Sequence, residues 1–248
     1  MQSLRHDSVI PCLGAGRCGM YHYLVMPYVG NSTLEDVIEE QPLTLEEADI
    51  VLEQITSALA YLHAQGVFHR DIKPSNILFD GAGRFYLADF GIASRRGETV
   101  LYNGHVMGTA QFIAPEIFDG QLDARSEVYA VGILLYQMLT GHLPFDGENQ
   151  WKICLQHKEE KPLPPSFYNP SLPRSVEQVI LRALEKKPDR RFQTMEELYG
   201  AYQRALRPSF SNQLSAKLRQ AGRQIRRQLA PETGPWDTIT AEQPALQA

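Results

Sequence analysis

One stretch, residues 128–139, constrains the fold more than any other, because it is apolar on every side of a helix. A helix of that kind has no face for water and must be covered by other elements of the protein. Its longest apolar run, residues 128–136, has nine residues, whereas a helix that crosses a membrane needs about 20. The sequence therefore predicts a buried helix inside a globular domain and no transmembrane segment.

Charge divides the chain into an acidic part and a basic part. Residues 1–197 hold 17 Lys and Arg against 26 Asp and Glu, whereas residues 198–230 hold seven Lys and Arg and no acid. We place the end of the globule near Pro208. An acidic globule without a nucleic-acid-binding motif argues against a nucleic-acid partner.

The basic stretch has a helical pattern of its own. Between residues 211 and 229, apolar side chains recur on one side of a predicted helix and basic side chains surround them. This pattern suits a peripheral contact with an anionic membrane, an intramolecular contact with the acidic globule, or a solvated linker. The apolar side is formed by Leu214, Leu218, Ala221, Ile225 and Leu229.

Cysteine usage and the first residues indicate the compartment. Cys12, Cys18 and Cys154 are an odd number of cysteines at no spacing typical of zinc ligands. Residues 1–7 contain no charged head followed by an apolar run, so we expect no secretory signal. Both observations predict a cytoplasmic protein with reduced thiols.

Two hairpins are predicted from β-prone runs. Residues 8–12 and 21–29 form the first, with the Gly-rich residues 14–19 as its turn. Residues 76–79 and 84–88 form the second, joined by the turn sequence Asp-Gly-Ala-Gly.

Helical patterns dominate the rest of the chain. Thr44 opens a capping box with Glu47 three residues on, and the helix that follows is expected to end at Gly66. Apolar residues then recur at helical spacing in four further segments. These segments are residues 128–139, 150–158, 175–186 and 194–206.

Three polar motifs follow one another at fixed intervals. Residues 69–78 read HRDIKPSNIL, residues 89–91 read DFG, and residues 108–116 read GTAQFIAPE. In this order and spacing they resemble the catalytic core of protein kinases, in particular the bacterial eukaryotic-like serine/threonine kinases. The resemblance covers roughly residues 4–206.

The resemblance implies an α+β, protein-kinase-like fold, consisting mainly of the α-helical C-lobe with a two-stranded hairpin from the N-lobe. Residues 1–29 would be the remnant of the N-lobe, from the fourth and fifth strands to the hinge. Residues 30–207 would be the C-lobe, and residues 208–248 a basic amphipathic helix with a disordered tail.

The residue types in these motifs suit phosphoryl transfer, which needs mainly positioning and neutralisation of phosphate charge. Asp71 is expected to accept the proton of the substrate hydroxyl, and Lys73 to place a positive charge beside the transferred phosphate. Asn76 and Asp89 offer the hard oxygen ligands that suit Mg²⁺ on the phosphates of ATP. Lys73 together with Thr109, which by resemblance lies beside Asp71, predicts transfer to serine or threonine of a protein substrate.

Further roles follow from the resemblance alone. Arg70 would bind a phosphate on the activation loop, for which Thr99 is the candidate site. Glu116 is expected to pair with Arg191 late in the domain. Glu127 stands where the family usually has Asp, and its extra methylene group is expected to loosen the catalytic loop.

The adenine pocket is also assigned by resemblance. Met26 would be the gatekeeper, and Pro27 and Val29 would offer hinge backbone groups to the adenine. Leu78 would form the floor of the pocket. Both Met26 and Leu78 are expected to be buried, whether they line the pocket or belong to the core.

Residues 14–19, GAGRCG, formally match the pattern G-x-G-x-x-G. We interpret them as a plain turn, because no helix follows to receive a pyrophosphate and the first lysine of the chain is Lys73. By the family pattern, the chain would lack the Gly-rich loop, the lysine that anchors ATP and the glutamate that pairs with that lysine.

Three functions remain open at this stage. The intact residues Asp71, Lys73, Asn76 and Asp89 favour a protein serine/threonine kinase that uses ATP and Mg²⁺. The absence of any lysine before Lys73 favours a truncated pseudokinase that acts as a binding or scaffold module. A small-molecule phosphotransferase ranks third, because it would not carry the motif at residues 108–116.

Overall fold

The computed structural model describes residues 4–90, 94–95, 101–102, 105–106 and 108–207, and the three pairs between residues 94 and 106 by their backbone alone. The described residues up to Leu206 belong to one compact unit. Thr99 and the helix predicted at residues 211–229 lie outside the described residues, so both stay predictions. The division of the chain at residues 29 and 207 also stays a prediction.

The helices predicted from the sequence up to residue 206 are present, with ends shifted by a few residues. The described part of the chain also contains a short helix, residues 34–40, that the sequence analysis does not predict. The α-helices are α1 (Leu34–Glu40), α2 (Leu45–Ala64), α3 (Ala124–Thr140), α4 (Gln150–Glu159), α5 (Arg174–Ala183) and α6 (Met195–Leu206).

Helix α3 is the buried helix that the apolar run predicts. Of its 17 residues, 14 are buried. Asp123 closes a capping box with Ser126 at its start, and Gly141 ends it in the left-handed conformation at φ 73°. Helices α2, α5 and α6 pack around it and around one another, so α3 is the central support of the helical part.

Helix α2 begins at the predicted capping box. Thr44 Oγ1 accepts a hydrogen bond from Glu47 N at 3.2 Å, and Glu47 Oε2 accepts one from Thr44 N at 2.8 Å. Near the end of the described residues, the Tyr202 hydroxyl on α6 donates a hydrogen bond to Leu45 O at 3.0 Å. These contacts fix the start of α2 against α6.

Short antiparallel strands, loops and 3₁₀ turns make up the remainder of the described chain. Three pairs join strands that are consecutive in the chain, β1–β2, β5–β6 and β8–β9. Strand β3 joins β5 to make a three-stranded sheet, and β4 pairs with β7. The strands are β1 (Gly14–Cys18), β2 (Tyr21–Val25), β3 (Ser32–Thr33), β4 (Val67–Phe68), β5 (Ile77–Phe79), β6 (Phe85–Leu87), β7 (Ser94–Arg95), β8 (Leu101–Tyr102) and β9 (His105–Val106).

The first hairpin corrects one sequence prediction. Residues 14–18, interpreted as a turn, form strand β1, and the turn lies instead at Gly19 and Met20. Gly16 pairs with Tyr23 across the hairpin, and the Tyr23 ring approaches it so closely that a Cβ atom there would meet the ring. Glycine in a strand often marks such an approach rather than a turn. Residues 8–12 contribute only a single parallel bridge, from Val9 to Leu87 on β6.

The sheet β3–β5–β6 places two motif residues next to each other. Leu78 on β5 pairs with Tyr86 on β6, and beyond the last pair Ala88 N donates to Asn76 O at 2.9 Å. The end of β6 therefore brings Asp89 beside the start of β5. No helix among the described residues is long and apolar enough to span a membrane.

Gly132 allows α3 and α5 to approach each other. A Cβ atom at this position would lie 2.8 Å from Ala183 Cβ and 3.1 Å from a methyl group of Leu184. Such distances leave no room for a methyl group unless the helices move apart. Gly200 on α6 is a useful contrast, because there the nearest atom to a Cβ is the flexible end of Arg204, at 3.3 Å.

We therefore expect opposite effects of alanine at the two glycines. Gly132→Ala should lower the free energy of unfolding, because overpacking costs about 1–3 kcal/mol while the gain in helix propensity is only about 1 kcal/mol. Gly200→Ala should raise the free energy of unfolding by about 0.5–1 kcal/mol. Urea denaturation of the full chain measures both changes, and a stabilised Gly132→Ala variant would contradict the close packing.

Candidate active site

The catalytic motif at residues 69–76 lies in the loop between β4 and β5, and His69 is its buried anchor. The His69 ring donates from Nε2 to Ala88 O at 2.9 Å and packs edge-on against Phe90, with ring centroids 4.8 Å apart. Burial lowers the pKa of His69, so the ring is neutral. It ties the loop to the segment that carries Asp89.

Helix α3 contacts this loop at Arg70, through the side chain of Glu127. Its backbone has a positive φ of 73°, which is uncommon for a residue other than glycine. Its N–H donates to Glu127 Oε1 at 2.7 Å, and Glu127 Oε2 lies 2.6 Å from His63 Nε2 on α2. Burial raises the pKa of the Glu127 carboxyl, but the hydrogen bonds and the charge of His63 outweigh burial and lower it.

The expectation that Glu127 loosens the loop is therefore wrong. Its longer side chain reaches the N–H of Arg70 and contacts His63 as well, while its exposed fraction is only 2%. His63 is a functional neighbour that the sequence analysis misses. A glutamate in place of the usual aspartate could have prompted a search for a second partner.

Asp71 is the centre of the candidate site, and each of its carboxylate oxygens accepts two hydrogen bonds. Oδ1 accepts from Thr109 N at 3.0 Å and from Thr109 Oγ1 at 2.8 Å. Oδ2 accepts from Asn76 Nδ2 at 2.9 Å and pairs with Lys73 Nζ at 3.0 Å. Burial raises the pKa of Asp71, yet the bonds from Lys73 and Thr109 hold it below its ordinary value.

Lys73 and Thr109 also contact each other. Lys73 Nζ donates to Thr109 Oγ1 at 3.0 Å, which closes a triangle with Asp71. The two residues are 36 positions apart in the chain, so the triangle joins the catalytic loop to the motif at residues 108–116. The structure thus brings together four of the six predicted catalytic residues: Asp71, Lys73, Asn76 and Thr109.

Asn76 and Asp89 fit the requirements of a Mg²⁺ site. Both N–H groups of the Asn76 amide point to Asp71, at 2.8 Å from its backbone oxygen and 2.9 Å from Oδ2, which leaves the amide oxygen for a ligand. Asp89, at a positive φ of 59°, follows the strand end that lies beside Asn76. Mg²⁺ commonly uses one or two protein oxygens together with phosphates and water. Among the described residues no cluster of three or more His, Cys, Asp or Glu competes as a metal site.

The predicted adenine residues are only partly brought together. Met26 lines a cavity that also contains Asp89 and Phe90. Pro27, Val29 and Leu78 do not belong to the lining of that cavity. Their roles, and that of Met26, stay predictions.

The burial expected at Met26 is wrong. Met26 is 42% exposed, because it follows the edge of the small β1–β2 hairpin, whose second strand is exposed along its length. Leu78 packs against the core, but it is half-buried rather than buried as expected.

A buried ion pair connects the motif at residues 108–116 to the segment before α6. Arg191, only 1% exposed, donates to both oxygens of Glu116, each at 2.7 Å. Its other donors reach the carbonyl oxygens of Glu185 at 2.6 Å, Arg125 at 2.9 Å and Lys186 at 3.0 Å. All five N–H groups of the guanidinium are therefore used, and the predicted pairing of Glu116 with Arg191 is confirmed.

Comparison with known proteins agrees with this geometry. The protein kinase domain family matches residues 1–202. The chain belongs to the protein kinase family. Its α+β fold, with a mainly helical part that carries the three motifs, is that of a protein kinase domain.

Several bacterial relatives carry the name of serine/threonine-protein kinase. PrkC of Bacillus subtilis is 39% identical over 199 residues, which cover 79% of the chain and 31% of PrkC. PknB of Mycobacterium tuberculosis is 37% identical over 205 residues, which cover 79% of the chain and 33% of PknB. A probable serine/threonine-protein kinase of Clostridium perfringens is 37% identical over 201 residues, with 80% and 29% covered. The chain thus spans about a third of the length of these relatives.

The Arg191–Glu116 ion pair is expected to stabilise this kinase domain. Arg191→Ala should lower the free energy of unfolding by about 3–5 kcal/mol, because it leaves the carboxylate of Glu116 buried and unpaired. Arg190→Ala is the matched control, since Arg190 is exposed and its loss should change stability by no more than about 0.5 kcal/mol. Chemical denaturation of both variants checks this, and equal losses would show that the pair has no special role.

Proposed function

We propose that the chain is a protein serine/threonine kinase that transfers the γ-phosphoryl group of ATP to hydroxyl groups of protein substrates. The observation that carries this proposal is the triangle of Asp71, Lys73 and Thr109, in which a base, a cation and a hydroxyl-bearing residue lie within 3.0 Å of one another. Neither this geometry nor the relatives named as serine/threonine kinases favours an inactive binding module.

Asp71 positions the acceptor hydroxyl in this proposal. Its lowered pKa keeps the carboxylate ionised near neutral pH, so that it can accept a hydrogen bond from a serine or threonine hydroxyl. A weak base is sufficient here, because the transition state of phosphoryl transfer is loose and the hydroxyl proton leaves late. Orientation of the nucleophile is then the main contribution of Asp71.

Lys73 and Asn76 complete the arrangement from either side of Asp71. Lys73 Nζ has three N–H donors, of which Thr109 and Asp71 use two, and the third can bind negative charge where the phosphoryl group arrives. Asn76 is fixed by its two bonds to Asp71, and its amide oxygen, with the carboxylate of Asp89, would hold Mg²⁺. The bound Mg²⁺ and ATP would supply the phosphoryl group and neutralise its charge.

Serine or threonine as acceptor is supported by the same contacts. Lys73 and Thr109 are the residues that the family resemblance associates with serine/threonine transfer, and they touch each other beside Asp71. We also propose that the protein works in the cytoplasm, since Cys12, Cys18 and Cys154 are all free thiols. Proteins of reducing compartments keep their cysteines in this form.

The decisive change is Asp71→Asn, which keeps the size of the side chain and removes its charge. We expect the variant to lose about 10²–10⁴-fold in kcat, the usual contribution of a positioned acid or base. The measurement is transfer of ³²P from γ-labelled ATP to a general protein substrate by the full chain, followed by phosphoamino-acid analysis. Phosphoserine and phosphothreonine should be the products.

Asp146→Asn is the matched control, because Asp146 is exposed and its carboxylate bonds only the neighbouring Gly147 N among the hydrogen bonds of the described chain. Its kcat should equal that of the unchanged chain. Undiminished labelling by Asp71→Asn, or phosphotyrosine as the main product, would contradict the proposed function.

A further inference from the structure

His157 is a fully buried histidine on α4 that the account so far does not use. Its exposed fraction is 0%, and its Nδ1 lies 2.8 Å from the hydroxyl of Tyr129 on α3. Its ring packs edge-on against Phe145, with centroids 4.8 Å apart. His157 is therefore held both by a hydrogen bond and by an aromatic contact.

The His157 ring is neutral, and two cations lie over the aromatic rings that contact it. Lys186 Nζ lies 4.1 Å from the centre of the Phe145 ring, and the Arg191 guanidinium lies 4.7 Å from the centre of the Tyr129 ring. Burial, followed by the charge of Lys186, lowers the pKa of His157 to about 3. A neutral imidazole carries one donor and one acceptor.

The surroundings decide which nitrogen carries the proton. The backbone groups of Ala110 and Gln111 face the ring and favour its proton-bearing form, as carbonyl acceptors do. The Tyr129 hydroxyl can donate to Nδ1, which leaves the proton on Nε2. Yet Nε2 has no hydrogen-bond partner of normal geometry in the described part of the chain. The ring thus aims an unused buried donor at these carbonyl groups.

The turn that it faces is the continuation of the active site. Residues Ala110–Phe112 form a single 3₁₀ turn directly after Thr109, and α4 packs against this turn. Thr109 N and Oγ1 bond Asp71 at 3.0 and 2.8 Å. A shift of this turn would therefore move Thr109 and the two hydrogen bonds that Thr109 donates to Asp71.

We propose that His157 is a positioning residue, whose neutral ring, oriented by Tyr129, holds the turn Ala110–Phe112 in place for the acceptor segment of the protein substrate. When that segment binds, Nε2–H closes onto the carbonyl group of Ala110 or Gln111. This inference rests on the proposed kinase function. An apo structure often shows such bonds long or badly aligned, and they shorten only in the complex.

The variants that test it keep the aromatic shape and remove the polar contacts. His157→Phe and Tyr129→Phe should each raise KM for the protein substrate about 5- to 10-fold, as expected for one lost hydrogen bond. KM for ATP should stay unchanged. The double variant should be no worse than either single one, because the two residues act as a unit. His157→Gln, which retains a donor and an acceptor, should recover most of the affinity.

Tyr136→Phe is the matched control. Tyr136 is as buried as Tyr129 on the same helix, but its hydroxyl has no hydrogen-bond partner among the described residues, so KM for the protein substrate should not change. A KM in His157→Phe that equals that of Tyr136→Phe would overturn the proposal.

A second readout does not depend on catalysis. With the general protein substrate bound to the full chain, hydrogen exchange should be faster at the amides of Phe112 and Ile113, which close the turn by bonds to Thr109 O and Ala110 O at 2.9 and 3.4 Å. We expect about a 10-fold increase in His157→Phe there and none in α6, in line with the loss of local order. If exchange in His157→Phe were faster throughout the chain, or were not faster at these amides, the positioning role would be overturned. This holds even if the unchanged chain showed no kinase activity.

Discussion

The hydrogen bond from Arg70 N to Glu127 is the contact on which the site depends. A backbone with φ of 73° costs free energy at any residue other than glycine and persists only where the surroundings enforce it. Here a buried carboxylate, 2.7 Å away on the central helix, enforces it, and His63 Nε2 lies 2.6 Å from the other oxygen of that carboxylate. The loop can then present Asp71 to Thr109 and Lys73 without rearrangement.

Helix α3 contacts several of the elements that build the site because it is surrounded by them. Glu127 on α3 bonds the catalytic loop, and Ser126 donates to Glu116 at 2.8 Å. Tyr129 contacts both His157 and Arg191, and Gly132 admits α5. A helix with one face in solvent would have no protein partners on that face. Burial of α3 therefore contributes to the geometry of the candidate site as well as to stability, since it holds those partners in one arrangement.

Much of the fold and part of the site could be predicted from the sequence, where the signal is local. The capping box at Thr44 and the apolar run of α3 each lie within one element, and both predictions are confirmed. The contacts of His63 and His157 join residues 64 and 28 positions apart. No local sequence pattern predicts contacts over such separations. The error at Gly16 has the same cause, because what the glycine accommodates is Tyr23 on the other strand.

The claim that the central helix holds the catalytic loop in its working geometry is tested most directly by the kcat of Glu127→Gln. The amide has the shape of the carboxylate but forms a weaker, uncharged hydrogen bond with Arg70 N. The account predicts a fall in kcat of about 10-fold with KM for ATP unchanged, because a slightly misplaced base costs rate rather than binding. A kcat within about twofold of that of the unchanged chain would contradict it.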